Sequence, residues 1–220
     1  MPIEWSGDGT AADALCIERN LRDLVRDLAV EAPQRRLPTI DMARTWHRRT
    51  FAGIAVPVPY YPGGIRDSDP GEPELVGHEV AVAGAVAVAH AVPAADVWPA
   101  LTKFQAGLRS EVARVDQLHP YLGTAMLSGP GDSIMKLCAW THGEWVRIHP
   151  FVNGNGRTAR IWANWVALRY GLPAFVRLRP RPAGNTYATA AERSMSGDHA
   201  YMELELYRLL AAYFQTGGAA

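Results

Sequence analysis

Between His149 and Arg160 the chain reads His-Pro-Phe-Val-Asn-Gly-Asn-Gly-Arg-Thr-Ala-Arg. Those residue types, in that order, suit the handling of phosphate. His149 titrates near neutrality and can take a proton from an attacking hydroxyl. Gly154 and Gly156 lack a Cβ, so the backbone turns tightly there and a ligand can approach it closely. The turn opens into an apolar helical run. The first N–H groups of a helix have no intrahelical partner, which makes that end an anion site. Arg157 and Arg160 stand one turn apart on this run, and both can fork onto phosphate oxygens. A base, an anion nest and two arginines fit phosphoryl or nucleotidyl transfer, where positioning and charge stabilisation carry most of the catalysis. Singly these features are common: Gly-Asn-Gly turns precede many helices, and arginines there often only decorate a surface. Their arrival in one twelve-residue frame is what carries weight.

The elements that must hold this frame read as helices. Ile134, Leu137, Cys138, Trp145 and Ile148 recur at helical spacing after Asp132 or Ser133 as cap, and this helix delivers the chain to His149. Beyond the turn, Ile161, Trp165 and Leu168 continue a helix that Gly171 and Pro173 stop. The turn therefore sits at a helix N-terminus, where the dipole favours phosphate. Phe151 reads as a core anchor for the loop. Upstream, Thr10 to Val30 is a helix with Leu15, Leu21, Leu24, Val25 and Leu28 on its apolar side, capped by Thr10 or Asp8. A second helix runs from Thr39 to Phe51, anchored by Trp46 and Phe51. Residues 53–79, rich in Gly and Pro, read as a loop without a core role. Val80, Val82, Gly84, Val86 and Val88 alternate, which predicts a strand or a small hairpin turning near Gly84. Asp96 caps a helix reaching Gln117, with Leu101, Phe104, Leu108, Val112 and Val115 inward, and a loop spans 119–131. Arg177, Arg179 and Arg181 lie among prolines and read as solvated linker, with phosphate contact the lesser alternative. Tyr187 opens another helix, and a last one runs from Ala200 to Phe214, burying Leu204, Tyr207, Leu210 and Phe214.

A chain of 220 residues with 48% hydrophobic content can bury one sizeable core. The domain plan is a helical arm over 1–37, a main domain over 38–215 and a disordered tail over 216–220. Basic and acidic residues balance at 22 each, so no nucleic-acid or membrane-binding face is expected. Cys16 and Cys138 sit in apolar helical patterns and read as buried free thiols. No signal peptide or membrane-length apolar run stands out, so a cytoplasmic location is the default expectation.

The stretch His149-Pro150-Phe151 … Gly154-Asn155-Gly156-Arg157 … Arg160 resembles the motif of the Fic family, His-Pro-Phe-x-(Asp/Glu)-Gly-Asn-Gly-Arg-x-x-Arg. The likeness is sharp over residues 142–171 and holds in outline over 40–210. It implies a mostly α fold, a Fic-type helical bundle with a small β-hairpin flap around 74–92 that docks a target protein by strand addition. It implies a protein adenylyltransferase that moves AMP from ATP, its nucleotide substrate, to a Ser, Thr or Tyr hydroxyl. On that resemblance His149 is the catalytic base. Gly154, Asn155 and Gly156 receive the charge on the transferred phosphate, Arg157 clamps the leaving phosphates and Arg160 orients them. Tyr187 lies against the nucleotide base, or, from the residues alone, is a half-buried core tyrosine. His142 packs or gives a supporting hydrogen bond.

One position departs from the motif. Asn153 stands where the family usually has the Asp or Glu that holds Mg²⁺. An amide oxygen is a neutral, weaker ligand for that hard ion, so the expectation is a weak metal site filled only with nucleotide present. The alternatives are a Doc-like protein kinase, which the intact Gly-Asn-Gly-Arg opposes, a small-molecule modifier, and a catalytically impaired nucleotide-binding interaction protein. Many Fic proteins are held off by a helix with Ser/Thr-x-x-x-Glu-Gly/Asn, whose glutamate pairs with the second motif arginine. Only Ser68-x-x-x-Glu72 has the first half of that pattern, and Pro73 follows it in a Pro/Gly-rich loop. Either a separate antitoxin-like partner supplies a glutamate to Arg160, making this chain its toxin, or activity is controlled otherwise.

Overall fold

The computed structural model describes residues 5, 9–67, 71–83, 88–120 and 131–217. Within them the chain runs α1 (Ala11–Glu31), α2 (Ile40–Thr50), β1 (Ala81–Ala83), β2 (Val88–His90), α3 (Val97–Leu118), α4 (Gly131–Ile148), α5 (Asn155–Arg169), α6 (Asn185–Met195) and α7 (Ala200–Gln215). The fold is mostly α with one antiparallel hairpin, in which Ala81 faces His90 and Ala83 faces Val88. The expected turn at Gly84 and Val86, loop residues 121–130, Ser68, and the chain ends at 1–4, 6–8 and 218–220 lie outside the described residues.

The centre of the bundle is α5, buried on nearly every face, with α4 packed along it. Its buried polar side chains find partners there, as where Asn164 Nδ2 donates to Val176 O at 2.8 Å. Trp162 meets Trp46, Phe104, Trp145 and Trp165 at ring-centroid distances of 4.6 to 5.9 Å. Ile17, Leu21, Leu24 and Leu28 of α1 belong to this same continuous core. Thr10 caps α1 through a reciprocal box: its hydroxyl accepts from Asp13 N–H, and Asp13 Oδ2 accepts from Thr10 N–H, both at 3.1 Å. Thr39 caps α2 by accepting from Met42 N–H at 3.3 Å. Arg169 is 1% exposed and pairs with Asp116 at 2.7 Å, pinning the end of α5 to α3.

Several expectations are corrected. Leu15 is 68% exposed, and Ile17 takes the inward position on α1. On α7 the buried stripe is Met202, Leu206 and Leu210, at i+4 spacing, while Leu204 and Phe214 point outward. Asp96 holds the N-cap position of α3 but makes no side-chain cap bond, because the chain enters through a 3-10 turn over Ala94–Asp96. Helix α4 starts at Gly131, so Asp132 and Ser133 lie inside its first turn, and Asp132 accepts from the Tyr207 hydroxyl at 2.9 Å instead. Cys138 is buried, whereas Cys16 is only partly so. Among its described residues the segment 53–79 carries no helix or strand, as expected, yet Tyr61, Ile65, Arg66 and Leu75 within it are fully buried.

Candidate active site

His149 follows directly on α4, in a left-handed conformation with φ +52°. Its backbone N–H donates to Trp145 O at 3.0 Å, and its Nδ1 lies 2.9 Å from Val146 O. A carbonyl only accepts, so Nδ1 carries the proton and Nε2 keeps its lone pair. Burial, with a smaller push from Arg66, holds the His149 pKa down to about 4. The imidazole is therefore a neutral proton acceptor at pH 7.

The turn that follows is built from both sides. Gly154 has φ +80°, and a Cβ there would sit 2.8 Å from His47 Nε2 and 3.0 Å from Phe51 Cε2, so only glycine fits. The His47 Nδ1 accepts from Gly63 N–H at 2.9 Å, which leaves its Nε2–H to donate to Asn153 O at 2.8 Å. Burial lowers the His47 pKa to about 3. The Asn155 side chain staples the loop: Oδ1 accepts from Phe151 N–H at 2.9 Å, and Nδ2 donates to Phe151 O at 2.7 Å. Asn155 was expected to receive phosphate charge, but its side chain is spent in this way and it offers only its backbone N–H. The first bond of the α5 ladder runs from Thr158 N–H to Gly154 O at 3.0 Å. The N–H groups of Asn155 and Gly156 lie ahead of that ladder, at the cavity.

The cavity has a volume of about 660 Å³, and His149, Gly154, Gly156, Arg157 and Arg160 all line it. The structure thus brings together the base, the turn and both motif arginines. Arg157 stacks over the Phe51 ring at 4.9 Å. Arg160 is 6% exposed; Nη2 donates to Leu178 O at 2.8 Å and Nη1 to the Tyr187 hydroxyl at 3.4 Å. Tyr187 is not among the lining residues and is 4% exposed, so it does not stack on a base from this position. It braces Arg160 from behind, and its hydroxyl lies 2.7 Å from His142 Nε2. Arg179 and Arg181 do line the cavity, so the proline-flanked arginines are not merely solvated linker.

Glu18, on α1, also lines this cavity, and it is ion-paired with Arg22 at 3.0 Å. With Ala14 four residues before it and Arg19 after it, Glu18 does not belong to the inhibitory Ser/Thr-x-x-x-Glu-Gly/Asn pattern. His47, Glu18 and Arg66 are site-shaping residues with no local sequence signal, because each reaches the site from a distant element.

Mg²⁺, which the family implies, is a poor match for these donors. The Asn153 Oδ1, the only side-chain oxygen it could offer, accepts from Arg157 Nη2 at 3.3 Å, and its Nδ2 donates to Trp5 O at 2.5 Å. Among the described residues no group of three His, Cys, Asp or Glu is placed to hold a metal. Nor is any described helix long and apolar enough to cross a membrane.

A helical bundle here sets a neutral histidine and two arginines around a glycine turn at a helix N-terminus, in one cavity. The chain belongs to the Fic/DOC family, whose description matches residues 38–167. It is similar to a Fido domain-containing protein of Dictyostelium discoideum, 51% identical over 42 residues, which is 19% of this chain and 29% of that protein. Its fold is similar to that of a Fic domain-containing signaling protein from Bacteroides thetaiotaomicron, with a TM-score of 0.58 and 20% identity, covering 94% of this chain and 74% of the other. A second solved structure, Fic-1 from C. elegans, gives 0.51 at 18% identity, covering 97% of this chain and 56% of the other. The family match and the fold neighbours agree that the chain carries a Fic domain, and it spans less than a third of the Dictyostelium protein's length.

Proposed function

We propose that the protein transfers AMP from ATP to a hydroxyl of a target protein. The observation that carries this reading is the position of His149, neutral and beside the glycine turn, in the cavity that Arg157 and Arg160 share. The hydroxyl oxygen attacks the α-phosphorus, and its proton passes to His149 Nε2. The bond from the α-phosphorus to the bridging oxygen breaks, and pyrophosphate leaves. The N–H groups at the start of α5 meet charge on the transferred phosphate, and Arg157 and Arg160 meet the charge that departs. No step is routed through a metal, because the donors do not fit one. The target lies along the hairpin, where Val88 is 59% exposed and an edge strand can be extended. Control comes either from a separate antitoxin-like chain that offers a glutamate to Arg160 or by another route. Incubation with ATP labelled at the α- or γ-phosphate tests the reading. Incorporation of α-label supports it, γ-label makes the protein a kinase, and neither label makes it a nucleotide-binding interaction protein.

A further inference from the structure

A buried arginine outside the motif holds the catalytic loop. Arg66 is 0% exposed, and its guanidinium is satisfied by backbone carbonyls. Nε donates to His149 O at 2.8 Å, and Nη2 donates to Ile148 O at 3.0 Å and to Val92 O at 2.8 Å. Nη1 donates to His78 O at 2.7 Å, and the Arg66 backbone N–H donates to Pro150 O at 2.9 Å. The last carbonyls of a helix have no intrahelical partner. Here Arg147 O accepts from Val92 N–H at 3.2 Å, and Arg66 takes Ile148 O and His149 O. A cation at a helix C-terminus is also favoured by the dipole. His149 itself holds a positive φ, which a non-glycine residue keeps only where its surroundings over-determine it.

We propose that Arg66 is a positioning residue for His149: its planar fork ties the backbone of the base to His78 and Val92, the two roots of the hairpin. The fork thus sets where Nε2 points, and it links the docking hairpin to the base. Only a guanidinium reaches four carbonyls in three directions; a lysine ammonium carries the same charge as a single point.

This inference rests on the transfer reading given above, and its test separates the two. Arg66→Lys keeps the charge and loses the fork. Transfer by this variant is expected to show kcat lower by roughly 10- to 100-fold, the scale of a small misplacement of a reacting group, with the nucleotide KM within about threefold because the arginine cradle is untouched. In ¹⁵N spectra the unaltered protein is expected to show His149 as the single Nδ1–H tautomer, and the variant a mixture. The tautomer needs no turnover to be read. An unaltered protein without transfer activity therefore sinks the transfer reading alone, while an unchanged tautomer in the variant overturns the positioning role. Unchanged kcat overturns it too, as does an equal loss of nucleotide binding and rate, which is what a merely structural role gives. Should the variant not fold, ¹⁵N-arginine labelling of the unaltered protein decides: slow exchange of the Arg66 Nε and Nη protons supports the fork, and fast averaged exchange overturns it.

Discussion

Gly154→Ala tests the construction of the phosphate turn most directly. The backbone there is left-handed, at φ +80°, which costs an L-residue about 1–2 kcal/mol. The new Cβ would lie 2.8 Å from His47 Nε2 and 3.2 Å from His47 Cδ2, with Phe51 Cε2 at 3.0 Å on the other side. Both neighbours are buried rings, so neither yields as a flexible chain end would. The imidazole must shift, and its bond to Asn153 O breaks. Leaving that buried donor unpaired costs about 1–3 kcal/mol more. The sum, about 2–5 kcal/mol, should lower the melting temperature by roughly 5–20 °C for a chain of this size. Gly156→Ala is the contrast. That Cβ would meet only Arg160 Nη1, at 3.5 Å. Its stability should be close to that of the unaltered protein, and helix propensity even favours alanine. Yet the methyl group stands in the cradle, so affinity for pyrophosphate should fall about 10- to 100-fold, the worth of one charge-assisted hydrogen bond. Calorimetric melting and pyrophosphate titration read both effects. Gly154→Ala melting within about 2 °C of the natural protein would refute the steric reasoning. Full pyrophosphate affinity in Gly156→Ala would remove the turn from the anion site.

Other outcomes follow from the same geometry. His149→Ala should lower transfer by about 10²–10⁴ while nucleotide binding survives; near-normal turnover of the purified variant contradicts its role as base. Arg157→Ala should weaken triphosphate binding and leave AMP binding little changed, which calorimetry with both ligands checks. Asn153→Asp exchanges the Nδ2–H that Trp5 O accepts for a carboxylate oxygen, and it should create a saturable Mg²⁺ dependence that the natural protein shows only weakly; identical magnesium titrations would show that this position does not govern metal binding. His47 and His142 are both buried and held at a pKa of about 3, against 6.5 when exposed. The unfolded imidazoles take up protons below pH 6.5 and the folded ones do not, so stability falls with pH from there towards 3. From pH 7 to 5 the loss is about 2 kcal/mol per histidine, and His142→Gln should reduce the pH slope in urea unfolding by one histidine's share.

What could be read from sequence was what depends on near neighbours. The capping of α1 by Thr10, the inward stripe of α3 and the glycine stop after α5 all follow from patterns within one or two turns. That His149, the glycine turn, Arg157 and Arg160 share one cavity is legible for the same reason, since they lie within twelve residues of one another. Failures came where the partner is remote. Leu204 and Phe214 are as apolar as Met202 and Leu206, and only the seat of α7 against α4 and α6 decides which row is covered. Tyr187 had two readings because its hydroxyl could face a ligand or a side chain; His142, on another helix, turns it inward. The Gly/Pro-rich segment departs furthest from its sequence pattern. Its composition predicts turns correctly but says nothing of burial, and burial is what gives Arg66 its role. A charged side chain enters a core only where its donors are met, and the carbonyls that meet these donors come from residues 78, 92, 148 and 149. A motif records the atoms that face a ligand. The atoms that hold the motif in place are dispersed along the chain, and at Asn153 they compete with it: an oxygen facing Arg157 and a nitrogen facing Trp5 leave the amide serving the fold where an acid would serve a metal.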